Sequence, residues 1–430
     1  MKKTVAIVTI LILLTVSIPL VSNAEKVKIG NYEVEYCGID QELNLLRGEH
    51  YLYLDAVDTV TSFNVKYAFP PEYSNQIPIY LEILEDSTAN ISDYKIEDEI
   101  NAPNKVINFT IGSMNNGDRW LIHFNCWVLV ESNNFEDLPD FIEIPDEISI
   151  PQEVKKWLEP TEVVQSEKFL IKLRAWQLKL FSNNNLLKLA EKIAKFCAHH
   201  RDLSWFFRYK LSGLIGYPPQ DALTALLAPT ECPGRSHLGC ALFRVNNVPA
   251  RVVLAMPARY DFWFEMHYMT EYYCPGFDWI LTEVHAGITP YESQNQILLR
   301  ICHPEDENNT QADFMYPRMK GLESWMWIDN ENVKPYYVDL KEGSKMKSFE
   351  ENTVTVDLNV ANDTVDLTSI VSNKYQNYLG MELNGENLIH FKNAVGYIEQ
   401  AIAELDSSTD SFGYIYYMTY ANEELDQINI

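Results

Sequence analysis

The spacing of apolar residues changes once along the chain, and that change constrains the fold more than any other feature. From residue 27 to 150, apolar positions fall in short alternating or β-branched runs at 51–54, 59–67, 77–83, 106–111 and 120–130, separated by Pro, Asn and Gly. Successive side chains on a strand point to opposite faces, so runs of this kind bury one face of a sheet. The packing expected over residues 25–150 is a β-sandwich. The break from Asn115 to Gly117 is expected to turn a hairpin, and the stretch from Glu136 to Pro151, acidic with three prolines, to lead out of the unit.

From about residue 153 the spacing lengthens to threes and fours. Phe169, Leu173, Trp176 and Leu180 form one series, and Leu186, Ala190, Ile193 and Cys197 a second, on either side of Asn183 to Asn185. They read as two amphipathic helices that supply core, and Asp221 to Leu227 reads as a third, entered after Pro218 and Pro219. Strands followed by helices give an α+β chain, and 430 residues are enough for two or three domains. The divisions expected are 1–24, 25–150, 151–340 and 341–430.

The first division is a leader. Lys2 and Lys3 precede an uncharged apolar run from Val5 to Val21, and Ser22 and Ala24 put small residues where a signal peptidase cuts. Cleavage after Ala24 is expected; left uncleaved, the run approaches the length of a membrane anchor. Either outcome makes the folded part secreted or cell-surface, with no second span. Seven cysteines then occupy a compartment that permits disulfides, and their odd number leaves at least one thiol unpaired within the chain. Metal-ligand spacings such as CxxC and HExxH do not occur, so neither a metal nor another cofactor is expected. A formal net charge of −27 with no evident basic patch argues against a nucleic-acid partner. His199 and His200, adjacent on a helix, read as a polar helix end, and Asn90, Asn108, Asn308 and Asn362 begin glycosylation sequons.

The chemistry concentrates between 230 and 287. Leu238, Ala241, Leu242 and Val245 form a helical stripe that Asn246 and Asn247 end, which puts Pro233 in the first turn and Cys232 at the helix N-terminus. Unpaired N–H groups and the helix dipole there favour a thiolate, the position a nucleophile needs. Cys240, beside the apolar stripe, is expected in the core or in a disulfide. Downstream, two β-rich runs flank Cys274-Pro275-Gly276-Phe277 as in a hairpin. Centring the turn on Pro275 or Gly276 makes paired positions sum to 550 or 551, so His267 lies opposite Glu283 or one step from it. Asp278, at the tip, is too far away to orient His267.

The order Cys232, Pro249-Ala250-Arg251, His267, Glu271, Gly276, Trp279 and Glu283 resembles the transglutaminase-like superfamily of papain-type cysteine enzymes. The likeness runs upstream through Asp221, the paired helices and Val163 to Ser166 as far as Pro160, and covers neither flank. The resemblance implies a papain-like α+β core in which a cysteine opens a helix packed on an antiparallel sheet whose adjacent strands supply histidine and acid. Carried over, Cys232 is the nucleophile, His267 the base and Glu283 the orienting carboxylate. The sequence departs from the pattern in having Glu283 where Asp is commoner. It also has Pro233 after the nucleophile, which lacks the N–H that an oxyanion hole would use. The Cys232 N–H and a side chain from the preceding helical region would then serve, with Trp205 and Tyr217 as candidates.

Such an enzyme attacks an amide of a protein or peptide and resolves a thioester with water or an amine, giving hydrolysis or acyl transfer. The alternative is a catalytically silent module of the same fold that binds cell-surface protein. Beyond 290, Trp325-Met326-Trp327 is expected to complete the edge of the core. A helix is expected from Glu386 to Leu405, followed by an aromatic stretch from Phe412 to Tyr420 that packs inward.

Overall fold

The computed structural model describes residues 26–29, 32–73, 75–132, 135, 138–199, 218–257, 266–292, 294–312, 319–336 and 347–429. The expected leader, His200, Trp205 and Tyr217 lie outside these residues. Among the described residues, no helix is long and apolar enough to cross a membrane.

A short hairpin, β1 (Lys26–Ile29) with β2 (Tyr32–Glu35), precedes β3 (Asp40–Ala56), a strand of 17 residues. There follow β4 (Phe63–Phe69), β5 (Gln76–Ile83), β6 (Ile91–Asp98), β7 (Lys105–Ile111) and β8 (Arg119–Glu131). They sort into two antiparallel sheets, one running β3-β8-β5 and the other β4-β7-β6. The sheets meet through aromatic side chains: Phe124 of β8 stacks on His50 of β3 at 4.8 Å and lies 5.7 Å from both Tyr67 of β4 and Phe109 of β7. The turn at Asn115 to Gly117 forms, with Gly117 at φ +85° and the Asp118 carboxylate accepting the Asn115 N–H at 2.7 Å. It does not close a hairpin, because the β7 and β8 that it joins belong to different sheets. A turn signal fixes a local reversal of the chain; it does not choose the partner strand.

The middle of the chain contributes α1 (Phe169–Leu180), α2 (Leu186–His199), α3 (Ala222–Leu227) and α4 (Cys232–Val245). After them come β9 (Ala250–Pro257), β10 (His267–Cys274), β11 (Asp278–Thr282) and β12 (Gln296–Ile301), an antiparallel sheet ordered β11-β10-β9-β12. α2 buries the series from Leu186 to Cys197 as expected. α1 does not: Ile171 and Ala175 are its buried residues, and Phe169, Leu173, Trp176 and Leu180 face solvent. The helical period was legible, but α1 carries two apolar stripes, and the narrower one fits against α4.

After α5 (Pro304–Asn308), β13 (Gln311–Ala312) and β14 (Lys320–Leu322), the chain returns to the first unit. There β15 (Met326–Ile328) pairs with β4, while β16 (Val333–Pro335) and β17 (Lys347–Asp357) pair in turn along the open side of β3. A division at 150 therefore separates stretches of sequence but cuts through both sheets. The helices α6 (Leu358–Tyr378), α7 (Glu386–Ser407) and α8 (Phe412–Asp426) follow. α6 lies against β5, with the Tyr375 hydroxyl donating to the Leu81 carbonyl at 3.3 Å, and α8 packs on α6 and α7. The aromatic stretch thus forms a helix that buries Tyr414 and leaves Tyr416 and Tyr420 exposed. Asp357 ties the two ends together: its carboxylate accepts the N–H groups of Cys37 and Gly38 and also caps α6 through the Asn359 N–H.

The first unit also seals the outer strand of the second. β12 pairs with β9 along one side only. On its other side, the Gln76 amide donates to the Leu298 carbonyl and accepts the Leu298 N–H, both at 2.8 Å. Asn104 does the same for Ile301, at 2.7 and 2.8 Å. Unpaired backbone groups on a sheet edge invite stray pairing or remain unsatisfied, and two buried amides answer that need here.

Candidate active site

Cys232 opens α4. Glu231 before it is extended, Pro233 occupies the first turn, and the first helical bond runs from Arg235 N–H to the Glu231 carbonyl at 3.2 Å. No side chain of the N-cap residue serves the helix end. The buried Gln220 does so instead, its amide oxygen accepting the N–H groups of Glu231 at 3.0 Å and Gly234 at 3.4 Å. Gln220 is held in its turn: its carbonyl faces His237 Nδ1, and His237 Nε2 lies 2.8 Å from the Glu323 carboxylate, with both side chains fully buried. Burial opposes a charge on His237, but Glu323 outweighs it and raises the pKa. The row Glu323, His237, Gln220 therefore positions the helix end that carries Cys232. Sequence reasoning missed it. Its available signals were His237 one and a half turns after Cys232 and Gln220 just ahead of the Asp221 that caps α3.

α4 lies close on the sheet because Gly239 faces Thr270 and Val284. A Cβ there would stand 3.1 Å from Val284 and 3.2 Å from the Thr270 hydroxyl. The Ser236 hydroxyl donates to the Tyr268 carbonyl at 2.9 Å, and Phe243 stacks on Tyr272 at 4.8 Å. This contact fixes the end of α4 beside the start of β10, where His267 stands.

The hairpin register differs from the expected one. Thr270 pairs with Thr282 and Cys274 with Asp278, so paired positions sum to 552 around a three-residue loop with Gly276 at φ +85° and Asp278 at +56°. His267 is therefore not opposite Glu283. Extending the ladder puts it opposite His285, whose ring centroid is 6.4 Å away, and puts Glu283 diagonal to it on the same face. The even sum preserves the face, and the diagonal suffices: His267 Nε2 is hydrogen-bonded to Glu283 Oε2. Glu283 has left the ladder for a bridge to Ile288, a tight turn that uses Gly287 at φ +79°, and its other oxygen accepts the His285 N–H at 2.7 Å. Asp278 remains at the exposed tip.

Cys232, His267 and Glu283 are thus brought together. Burial alone would discharge His267, yet hydrogen bonds to Cys232 and Glu283 and their charges overcome it and raise its pKa to about 10. With Nε2 given to Glu283, Nδ1 is left for the thiol. Burial likewise works against the Glu283 carboxylate, and the His267 bond holds its pKa below the ordinary value. Cys232 is half-buried, whereas burial pushes the thiols of Cys126, Cys240 and Cys302 far up and those of Cys197 and Cys274 up to about 12. Cys240 belongs to the core, and all seven cysteines are free of disulfides.

Other residues on which the resemblance rests serve the frame. Arg251 is paired with Glu271 at 2.9 Å, both nearly inaccessible, and its guanidinium lies 3.6 Å from the centre of the Trp279 ring. Tyr73, from the first unit, donates to Glu271 at 3.0 Å. Glu271 is four residues from His267, about 13 Å along the strand, so this pair anchors the sheet to the first unit away from the thiol. Among the described residues, no group of His, Cys, Asp and Glu could hold a metal ion.

No family model and no curated protein matches this chain. Two solved structures are similar to it in part. One, from Cytophaga hutchinsonii and provisionally named a cysteine protease, is 11% identical with a TM-score of 0.46 and covers 73% of this chain and 98% of its own. The other, from Parabacteroides distasonis ATCC 8503 and provisionally named a protease, is 13% identical with a TM-score of 0.23 and covers 54% of this chain and 42% of its own.

Proposed function

We propose that this chain is a secreted or cell-surface cysteine enzyme of the transglutaminase-like kind, acting on amide bonds of proteins or peptides. Its core would be papain-like and preceded by a β-sandwich. The observation that carries the reading is the hydrogen-bonded row Cys232, His267, Glu283, with the cysteine at a helix N-terminus and the histidine kept cationic. Thiolate Sγ attacks the amide carbonyl, His267 gives its proton to the departing amine as the C–N bond breaks, and a thioester remains. His267, now neutral, removes a proton from the incoming water, whose oxygen displaces Sγ to give the acid and regenerate the pair. Glu283 keeps the ring oriented and its charge balanced throughout. Water is the default acceptor at its bulk concentration, giving hydrolysis; a lysine amine in a water-poor site would give crosslinking instead. Pro233 leaves the Cys232 N–H as the backbone donor for the oxyanion, to be joined by a side chain such as Trp205 or Tyr217.

Thiol labelling followed by peptide mapping tests the reading. Iodoacetamide at pH 6.5 should modify Cys232 at least tenfold faster than the exposed Cys37, which donates instead to the Asp357 carboxylate. A Cys232→Ala variant should lose amide hydrolysis on a mixed peptide substrate. Equal labelling of Cys232 and Cys37, with no hydrolysis by wild type, would leave the silent binding module.

A further inference from the structure

At about 100° per residue, Phe169, Leu173, Trp176 and Leu180 of α1 fall within about 60° of one another, and Ile171, Ala175 and Leu178 lie opposite. The first set faces water: Phe169 is 74% exposed and Trp176 56%, and Phe181, one residue past the helix, is 72% exposed. Exposed apolar side chains are ordinary singly, but a continuous stripe marks a surface that something covers. The charge around it is equally distinctive. Lys168, Lys172, Arg174 and Lys179 lie on or beside α1, and no Asp or Glu occurs from 168 to 190. α2 adds Lys188, Lys192 and Lys195 against Glu191 alone. With Glu167, which pairs with Lys168 at 2.8 Å, this helical hairpin gathers seven bases against two acids in a chain whose net charge is −27. The bases are spaced at helical intervals, so they make no run in the sequence; the basic patch that looked absent is a surface feature. Lys172 and Lys179 border the stripe on one side, and Arg174 lies farther round the helix toward α2, its guanidinium 4.7 Å from the centre of the Phe196 ring.

We propose that α1 is a membrane-surface helix that lays its Phe–Leu–Trp stripe into the boundary between headgroups and acyl chains of an anionic bilayer. Aromatic and leucine side chains at the centre, with lysines along one margin, match the layering of that boundary, and the bases meet acidic headgroups while the rest of the acidic protein stays in water. A nucleic acid would use the bases but leave the aliphatic centre unpartnered. A second copy joined through the same stripe by a twofold axis would set lysines against lysines.

Vesicle co-sedimentation tests this with the chain starting at Glu25, which holds every described residue. The wild type should sediment with phosphatidylcholine vesicles containing phosphatidylglycerol, release on addition of salt, and stay in the supernatant with phosphatidylcholine alone. Trp176→Ser, and Lys172→Glu combined with Lys179→Glu, should each lower partitioning at least about tenfold. Their thermal unfolding should match wild type, since these side chains touch water. Partitioning that is unchanged in both variants, or equal on the two vesicle types, overturns the proposal. So does binding to a single-stranded oligonucleotide that survives Trp176→Ser, or a wild-type dimer in solution that Trp176→Ser dissolves.

Discussion

Replacing Glu283 by Gln removes one charge from the proposed triad while keeping nearly the same shape, and the structure says what that does to His267. Glu283 Oε2 accepts from the imidazole and Oε1 accepts the His285 N–H. In Glu283→Gln the amide oxygen is retained by the His285 N–H, which turns the NH₂ toward Nε2 and demands a ring nitrogen that accepts. Burial then acts against the imidazolium with only Cys232 opposing it. With a pKa of about 10 His267 is about 97% charged at pH 8.5; at the ordinary value of about 6.5 the figure is about 1%. Protein labelled with ¹³C in histidine should therefore show the His267 resonance titrating near 10 in wild type and at least two pH units lower in Glu283→Gln. The same change leaves the wrong tautomer facing the thiol, and amide hydrolysis should fall by about 10⁴, equivalent to about 5 kcal/mol at the transition state. Asp278→Asn, at the exposed hairpin tip, should alter neither quantity. A His267 resonance that still titrates near 10 in Glu283→Gln would refute the reasoning, whatever happened to turnover.

Two further outcomes concern the frame. Gln76→Leu leaves the buried Leu298 N–H and carbonyl without partners on that side, at about 1–3 kcal/mol for each group, so denaturant unfolding should show a loss of about 2–6 kcal/mol; a loss below about 1 kcal/mol would mean that the edge is sealed otherwise. Residues 25–150 expressed alone lack β15, β16 and β17 and should show no cooperative unfolding transition by circular dichroism, against the boundary that composition suggested. A sharp transition would show that the late strands are dispensable.

Local signals were the legible part. The stripe from Leu238 to Val245 and the Asn246-Asn247 stop located α4 to the residue, and Asn247 does adopt positive φ, at +61°. The helix expected from Glu386 to Leu405 runs to Ser407. The nearness of His267 and Glu283 was also readable, because parity along a strand tolerates an error of two in register but not of one. What failed were choices among partners. Nothing in the apolar spacing of α1 says which of its stripes meets α4, and nothing around Asn115 says that β7 and β8 part company. Nor does the run from 347 to 357 say that it belongs beside residue 40, since strand pairing is settled by the sheet as a whole. α6, whose 21 residues have many Asn, Asp, Ser and Thr, shows little apolar period and went unseen. The buried row Glu323, His237, Gln220 escaped for a similar reason: its members are spread over about a hundred residues and only the fold collects them.

The Asp357 carboxylate reaches the backbone of Cys37 across 320 residues of chain. A ribosome that has finished β3 must add everything through β17 before that carboxylate exists, including the whole of the helix and sheet that hold Cys232. The first sheet is therefore begun early and completed late. Until then its longest strand has most of one flank unpaired. The same geometry makes a chain that stops short of residue 347 more than a slightly shorter molecule, since it lacks the strand that closes its first sheet.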